Sequence, residues 1–193
     1  PDELVELQAG VPRPDGNAVI IAAGTGLGSA YLHRIAGRLR PVPSEGGHPA
    51  FAARTDREFE LTKMLRTMYG RAEVEAVLCG PGLVNVHRFT HGQRPCPALV
   101  GVEPGGEPAA ISQAALSHTC PYCVEALDLF VSAYGSETGN LALRGVATGG
   151  VYVGGGIAPK ILQLLQRGDF MKAFRSKPPM DELLSRIPVK VIL

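Results

Sequence analysis

The chain has 193 residues and a net charge of +1. It is 45% hydrophobic and 19% charged. That length supports a sizeable core, and the near-neutral charge gives no basic field for nucleic acid. No apolar run approaches the roughly 20 residues of a membrane helix. The first residues carry neither a basic segment nor an apolar core of the signal-peptide kind. With four cysteines in a core-rich chain, reduced cytoplasmic thiols are the expectation rather than a disulfide scaffold.

In chain order, residues 1–16 read as a polar loop that ends in a turn at Pro12-Arg-Pro-Asp-Gly16. The apolar run Asn17–Ala23 reads as a buried strand. Ser29–Ile35 and Arg38–Val42 read as a hairpin around Ala36-Gly37. Thr55-Asp-Arg-Glu58 is a capping box. The helix behind it shows Leu61, Met64, Leu65, Met68 and Tyr69 on one face, and Gly70 ends it. Val74–Leu78 is short and apolar. A helix then runs to about His91, stopped by Gly92.

Residues 92–108 are rich in proline and glycine and read as a surface loop. Helical character resumes at Ala109 and again over Cys123–Leu143. Val146–Val153 reads as a strand, and Gly154-Gly-Gly leads into a helix around Ile161–Leu165, with Pro159 in its first turn. Asp181–Arg186 reads as a short helix and Val189–Leu193 as a strand. Strands and helices interleave, so the class is α/β.

Several stretches carry candidate chemistry. AAGTGLGSAYL departs from the dinucleotide fingerprint, because Ser29 stands at its last glycine position and a strand follows. A strand–glycine turn–strand can offer backbone amides to an anion, or be only a tight hairpin. VYVGGGIAPK places amides at a helix start, where an anion is favoured, or where glycines only let strand and helix pack. In PSEGGHPAF, Glu45 and His48 flank a glycine hinge. A carboxylate and an imidazole suit a polyol, or both are solvated loop residues. Glu75 interrupts the apolar VEAVL run and needs a partner, a cleft or an exposed edge.

Cys120-Pro-Tyr-Cys123 has the redox spacing, but it follows a helical stretch late in the chain rather than an early strand. Cys79 and Cys96 form no second Cys-x-x-Cys pair, so no metal site is expected.

Taken together, AAGTGLGSAYL, PSEGGHPAF, VEAVLCGPGLVNVHR, GNLAL, GGVYVGGGIAPK and the ending IPVKVIL resemble, in that order, the bacterial-type glucokinases. These are ATP-dependent hexose kinases of the actin/hexokinase superfamily. The resemblance implies a ribonuclease H-like fold, a mixed sheet flanked by helices. It implies that Glu45, His48 and Glu75 bind glucose hydroxyls. It implies that Gly24, Thr25 and Gly26 face the nucleotide phosphates and that Gly154 and Gly155 line the adenosine side, with ATP and Mg2+ required. It also implies a possible homodimer, while the cysteine usage suits a cytoplasmic protein and the charge and apolar pattern point to no nucleic-acid or membrane partner.

The family's amino-terminal phosphate loop and the Asn-Asp pair that supplies its base do not occur in this sequence. The chain is therefore expected to be the large carboxy-terminal domain, without the small domain and the extreme carboxy terminus, with no catalytic base of its own and no turnover alone. A sugar-binding sensor that kept the pocket and lost the chemistry is the alternative.

Overall fold

The computed structural model describes residues 3–193. They form two compact units. One runs to Gly46 and resumes over Val131–Leu193; the other is Gly47–Phe130.

The first unit is built on a six-stranded mixed sheet. Its strands are β1 (Leu4–Gln8), β2 (Ala18–Ala23), β3 (Leu27–Ile35), β4 (Arg38–Ser44), β5 (Gly150–Gly154) and β6 (Val189–Ile192), in the order β1-β6-β5-β2-β3-β4. β2, β5 and β6 are mutually parallel neighbours in the middle, while β1, β3 and β4 pair antiparallel at the edges. The central strands are the ones with near-continuous apolar sequence, as burial on both faces requires. Val19, Ile21, Val151, Val153, Val189 and Val191 are all buried.

The β3–β4 hairpin turns at Ala36 and Gly37, whose φ values of 49° and 76° suit the twist of a two-residue hairpin.

Three sequence expectations change here. The stretch read as a loop over residues 1–16 contains β1, which pairs with β6. The strand expected over Val146–Val153 starts only at Gly150, because α4 (Pro121–Gly145) runs to Gly145 and Val146 turns with φ of 44°. After β5 the chain forms a 3-10 turn, Ala158–Ile161, then only the five-residue α5 (Leu162–Gln166). Two further helices complete the unit, α6 (Asp169–Arg175) and α7 (Asp181–Arg186).

The part of α4 that belongs to this unit meets α6 through Gly135 and Gly139. A Cβ on either would collide with the backbone carbonyl of Phe170 or Phe174. Phe170 itself stands edge-on to Tyr134, with ring centroids 5.6 Å apart.

The second unit is helical: α1 (Asp56–Tyr69), α2 (Gly80–His91), α3 (Glu107–Leu116) and the first turns of α4. Thr55 caps α1, its Oγ1 accepting from the Glu58 amide at 3.2 Å. The other half of the expected capping box is diverted. The Glu58 carboxylate accepts from the Arg54 amide at 2.6 Å and pairs with the Arg54 guanidinium. Gly70 closes the helix in the left-handed conformation. Of the expected apolar face, Leu61 and Leu65 are buried, whereas Met68 and Tyr69 are exposed. Cys79 caps α2, its Sγ accepting from the Gly82 amide at 3.2 Å. Gly82 has to be glycine, since a Cβ there would lie 2.5 Å from the Val77 carbonyl carbon.

Candidate functional site

The glycine turns occupy one end of the sheet. β2 and β5 run parallel, with Ala22 opposite Gly154. Gly24-Thr25-Gly26 therefore leaves β2 at the same end where Gly154-Gly155 leaves β5, at the carboxyl ends of neighbouring parallel strands. Ligands in open α/β sheets bind at such ends. The turn at Gly24 is closed by its amide donating to the Gly26 carbonyl at 2.9 Å. A side chain at Gly24 would meet nothing within 4 Å, so the backbone there faces open space. Gly155 has φ of +82°, and a Cβ on it would run into the Ala23 carbonyl. The Ile157 amide donates to that same carbonyl at 3.2 Å. Backbone contact holds the two turns side by side.

Tyr134 braces the pair from beneath. Its hydroxyl lies 3.4 Å from the carbonyl oxygens of both Ile21 and Gly154, and the residue is fully buried. Burial holds its phenol well above the usual range, against a smaller opposing effect from the Ala23 amide.

The sugar-type residues divide between the units. Glu45 follows directly on β4 in the first unit and is exposed. Gly46 beside it packs so closely on Ser29 that a Cβ would displace the serine hydroxyl. In the second unit, the Glu75 amide donates to the Gly47 carbonyl at 2.8 Å and the Val74 amide to the Pro49 carbonyl at 3.0 Å. Ala50 and Glu73 form an antiparallel bridge. This pairing lays the glycine–histidine loop along the segment of Glu75.

As a result, His48, Glu73 and Glu75 each place a ligand atom within 4.8 Å of the other two. His48 Nδ1 is 3.4 Å from Glu73 Oε2, with the imidazole 51% exposed. The Arg71 guanidinium donates to the His48 carbonyl, and Arg71 Nε is 3.6 Å from the same Glu73 oxygen. Glu73 was not anticipated from the sequence. Its signal was the alternation Glu73-Val74-Glu75, with Val74 buried and both glutamates half-buried.

The cysteines are free thiols. Burial raises the Cys79 thiol, although the Gly82 amide opposes it. No helix among the described residues is long and apolar enough to cross a membrane.

A mixed six-stranded sheet with glycine turns at the carboxyl ends of β2 and β5, and a cluster of one imidazole and two carboxylates in the helical unit, define a protein of the α/β class. The comparisons give this class its family. The sequence pattern of the glucokinases matches residues 1–193, and the chain belongs to the glucokinase family.

It is 40% identical to the glucokinase of Nostoc sp. PCC 7120, covering 99% of this chain and 61% of that protein. It is also 40% identical to that of Mesorhizobium japonicum, covering 99% and 54%. The chain thus spans somewhat more than half the length of these relatives. A crystal structure of glucokinase from an Antarctic psychrotroph superposes with a TM-score of 0.87 at 30% identity, over all of this chain and 58% of that one. The fold, though not more, is shared with a Streptomyces griseus glucokinase solved with glucose and AMPPNP, at TM-score 0.59 and 19% identity over 90% of this chain and 60% of that one.

Proposed function

We propose that this chain is the large domain of a glucokinase, which transfers the γ-phosphoryl group of ATP to the 6-hydroxyl of glucose. The observation that carries the proposal is the pairing of residues 47–50 with 73–75. It draws His48 and Glu75, two of the three positions matched to the sugar site, into one cluster. In the first unit, the glycine turns at the ends of β2 and β5 are the candidate place for phosphates.

Each group has a role that follows from its chemistry. The Glu75 and Glu45 carboxylates accept hydrogens from ring hydroxyls. The His48 imidazole donates one hydrogen bond and accepts another. Glu73, paired with His48, orients the imidazole. The amides around Gly24, Thr25 and Gly26 and the Thr25 hydroxyl receive phosphate oxygens.

Magnesium would arrive with the nucleotide, held by phosphate oxygens and water, since neither glycine turn contains a carboxylate. In the transfer, the bond from O6 to the γ-phosphorus forms as the bond to the bridging oxygen of ADP breaks, with the O6 proton passing to a base. Such transfer depends on alignment and charge stabilisation. The sequence has no Asn-Asp pair to supply that base, so the 193 residues on their own bind but do not turn over. The proposal places the reaction in the cytoplasm.

The test is a pair of assays on one preparation. Equilibrium dialysis with AMPPNP should show binding that Gly24→Ala weakens. A coupled assay for glucose 6-phosphate should show no product with glucose and Mg-ATP. Product formation by this chain alone would refute the missing-base part of the proposal; absence of nucleotide binding by the folded chain would refute the glycine-turn assignment.

A further inference from the structure

The second unit holds a cluster of sulfur and nitrogen that the sugar-kinase reading does not use. α2 ends at His91, the following loop carries Cys96, and Cys120 and Cys123 bracket the start of α4. The sulfurs of Cys96, Cys120 and Cys123 all lie within 4.8 Å of one another. His91 Nε2 is 3.6 Å from Cys120 Sγ, and Cys96 Sγ is 3.8 Å from Cys123 Sγ.

Both separations are compatible with edges of a metal-centred tetrahedron. With Zn–S of about 2.3 Å and Zn–N of about 2.0–2.1 Å, tetrahedral angles put neighbouring sulfurs about 3.8 Å apart and a sulfur and a nitrogen about 3.6 Å apart.

The surroundings are arranged in the same sense. His91 Nδ1 faces the Arg94 carbonyl at 3.0 Å. A carbonyl only accepts, so Nδ1 carries the hydrogen and Nε2 turns its lone pair toward Cys120. This is the outer-shell hydrogen bond that metal-bound histidines make. The amides of Tyr122 and Cys123 donate to the Cys120 sulfur.

The loop bearing Cys96 is fastened over the cluster. The Arg94 guanidinium stacks on the Tyr122 ring, 4.9 Å from its centroid. The Tyr122 carbonyl accepts from Thr90 Oγ1 at 2.9 Å, and the Tyr122 ring meets His91 edge-on at 5.0 Å.

We propose that His91 Nε2 and the thiolates of Cys96, Cys120 and Cys123 form a structural zinc site of the three-cysteine, one-histidine kind. It ties the end of α2, the proline-rich loop and the start of α4 into one piece. Four protein ligands close the coordination sphere, so the site is structural rather than catalytic. The expectation of no metal came from seeking two Cys-x-x-Cys pairs. The fold supplies one such pair and completes the set with a histidine and a cysteine from two other segments.

The experiment uses the purified chain, kept reduced, given zinc and then dialysed against a weak chelator. Elemental analysis is expected to find about one zinc per chain. Under argon, cobalt(II) in place of zinc is expected to give the intense visible bands of a tetrahedral site and thiolate-to-metal charge transfer. Cys96→Ser, in a half-buried loop position, is expected to lower retained zinc at least about tenfold, since losing even an outer-shell partner of a ligand costs about that much, while circular dichroism shows the fold intact. Cys79→Ser, outside the cluster, is expected to retain zinc. The site is refuted if the reduced, folded chain retains no zinc and gives no charge-transfer band. It is equally refuted if Cys79→Ser loses zinc as fully as Cys96→Ser, or if a Cys120–Cys123 disulfide forms in place of the metal under a cytosolic glutathione poise.

Discussion

A Cβ placed on Gly155 would lie 2.8 Å from the carbonyl carbon of Ala23 and closer still to its oxygen. That contact, with the Ile157 amide on the same carbonyl, locks the turn after β5 to the end of β2. Gly155 also has a left-handed φ of +82°. Gly155→Ala therefore suffers both backbone strain and overpacking, each about 1–3 kcal/mol. Gly156→Ala meets nothing within 4 Å and should be nearly neutral. Urea unfolding of the two variants checks the contrast; equal midpoints would contradict it.

Gly24 makes a different case. A methyl group there has open space around it, so Gly24→Ala should unfold within about 0.5 kcal/mol of the parent, the range of an unconstrained surface change. The methyl would instead stand where the proposed function puts the phosphate oxygens. Nucleotide affinity should fall at least about tenfold, an amount equal to 1.4 kcal/mol of lost contact. Dialysis with AMPPNP reads this directly.

Tyr134 ties strand ends together through a buried hydroxyl. Tyr134→Phe removes one hydrogen-bonding group and should destabilise by about 0.5–1.5 kcal/mol at neutral pH. The pH dependence has a definite sign. Burial keeps the phenol protonated in the folded chain above its ordinary range, whereas the unfolded chain releases that proton near pH ~10. Above pH ~10 the unfolded state binds fewer protons than the folded state, so stability falls as pH rises. Unfolding curves at pH 8 to 11, roughly spanning that ordinary tyrosine value, should show a steeper decline for the parent than for Tyr134→Phe. Parallel declines would mean that Tyr134 ionises freely in the fold.

Thr55 holds the start of α1, and its Oγ1 receives the Glu58 amide. Thr55→Ala should cost about 1 kcal/mol. Thr55→Ser keeps the acceptor and should restore most of it. Thermal melting of the pair separates capping from lost methyl packing, since only capping is rescued by serine.

Much of this organisation is legible in the sequence because local chemistry fixes it. The apolar run before Gly24, the Ala36-Gly37 turn, the Thr55 cap, the Cys79-Gly-Pro-Gly start of α2 and the left-handed Gly70 stop each announce themselves within a few residues. β1 does not, since Leu4-Val-Glu-Leu-Gln8 reads as polar until β6, from the far end of the chain, pairs with it. Phe170 and Phe174 mark α6 at helical spacing, but the helix is only Asp169–Arg175 and offers little periodicity to read. In the His48–Glu73–Glu75 cluster, Glu75 was visible as a charge in an apolar run. Glu73 was not, because its role comes from the bridge to Ala50 and the ion pair with His48. The cysteine–histidine cluster is likewise a product of tertiary structure, with ligands from α2, the loop and α4.

The most direct test of the central claim is saturation-transfer NMR of the chain with glucose, run beside Glu45→Gln and Glu75→Gln. Each substitution removes a charged acceptor of the sugar hydroxyls, and such hydrogen bonds contribute about 1.5–3 kcal/mol. The account predicts glucose binding by the parent chain and about ten- to hundredfold weaker binding by each variant, with folding unchanged by circular dichroism. Glucose binding that survives both substitutions undiminished would contradict the assignment of these carboxylates to the sugar.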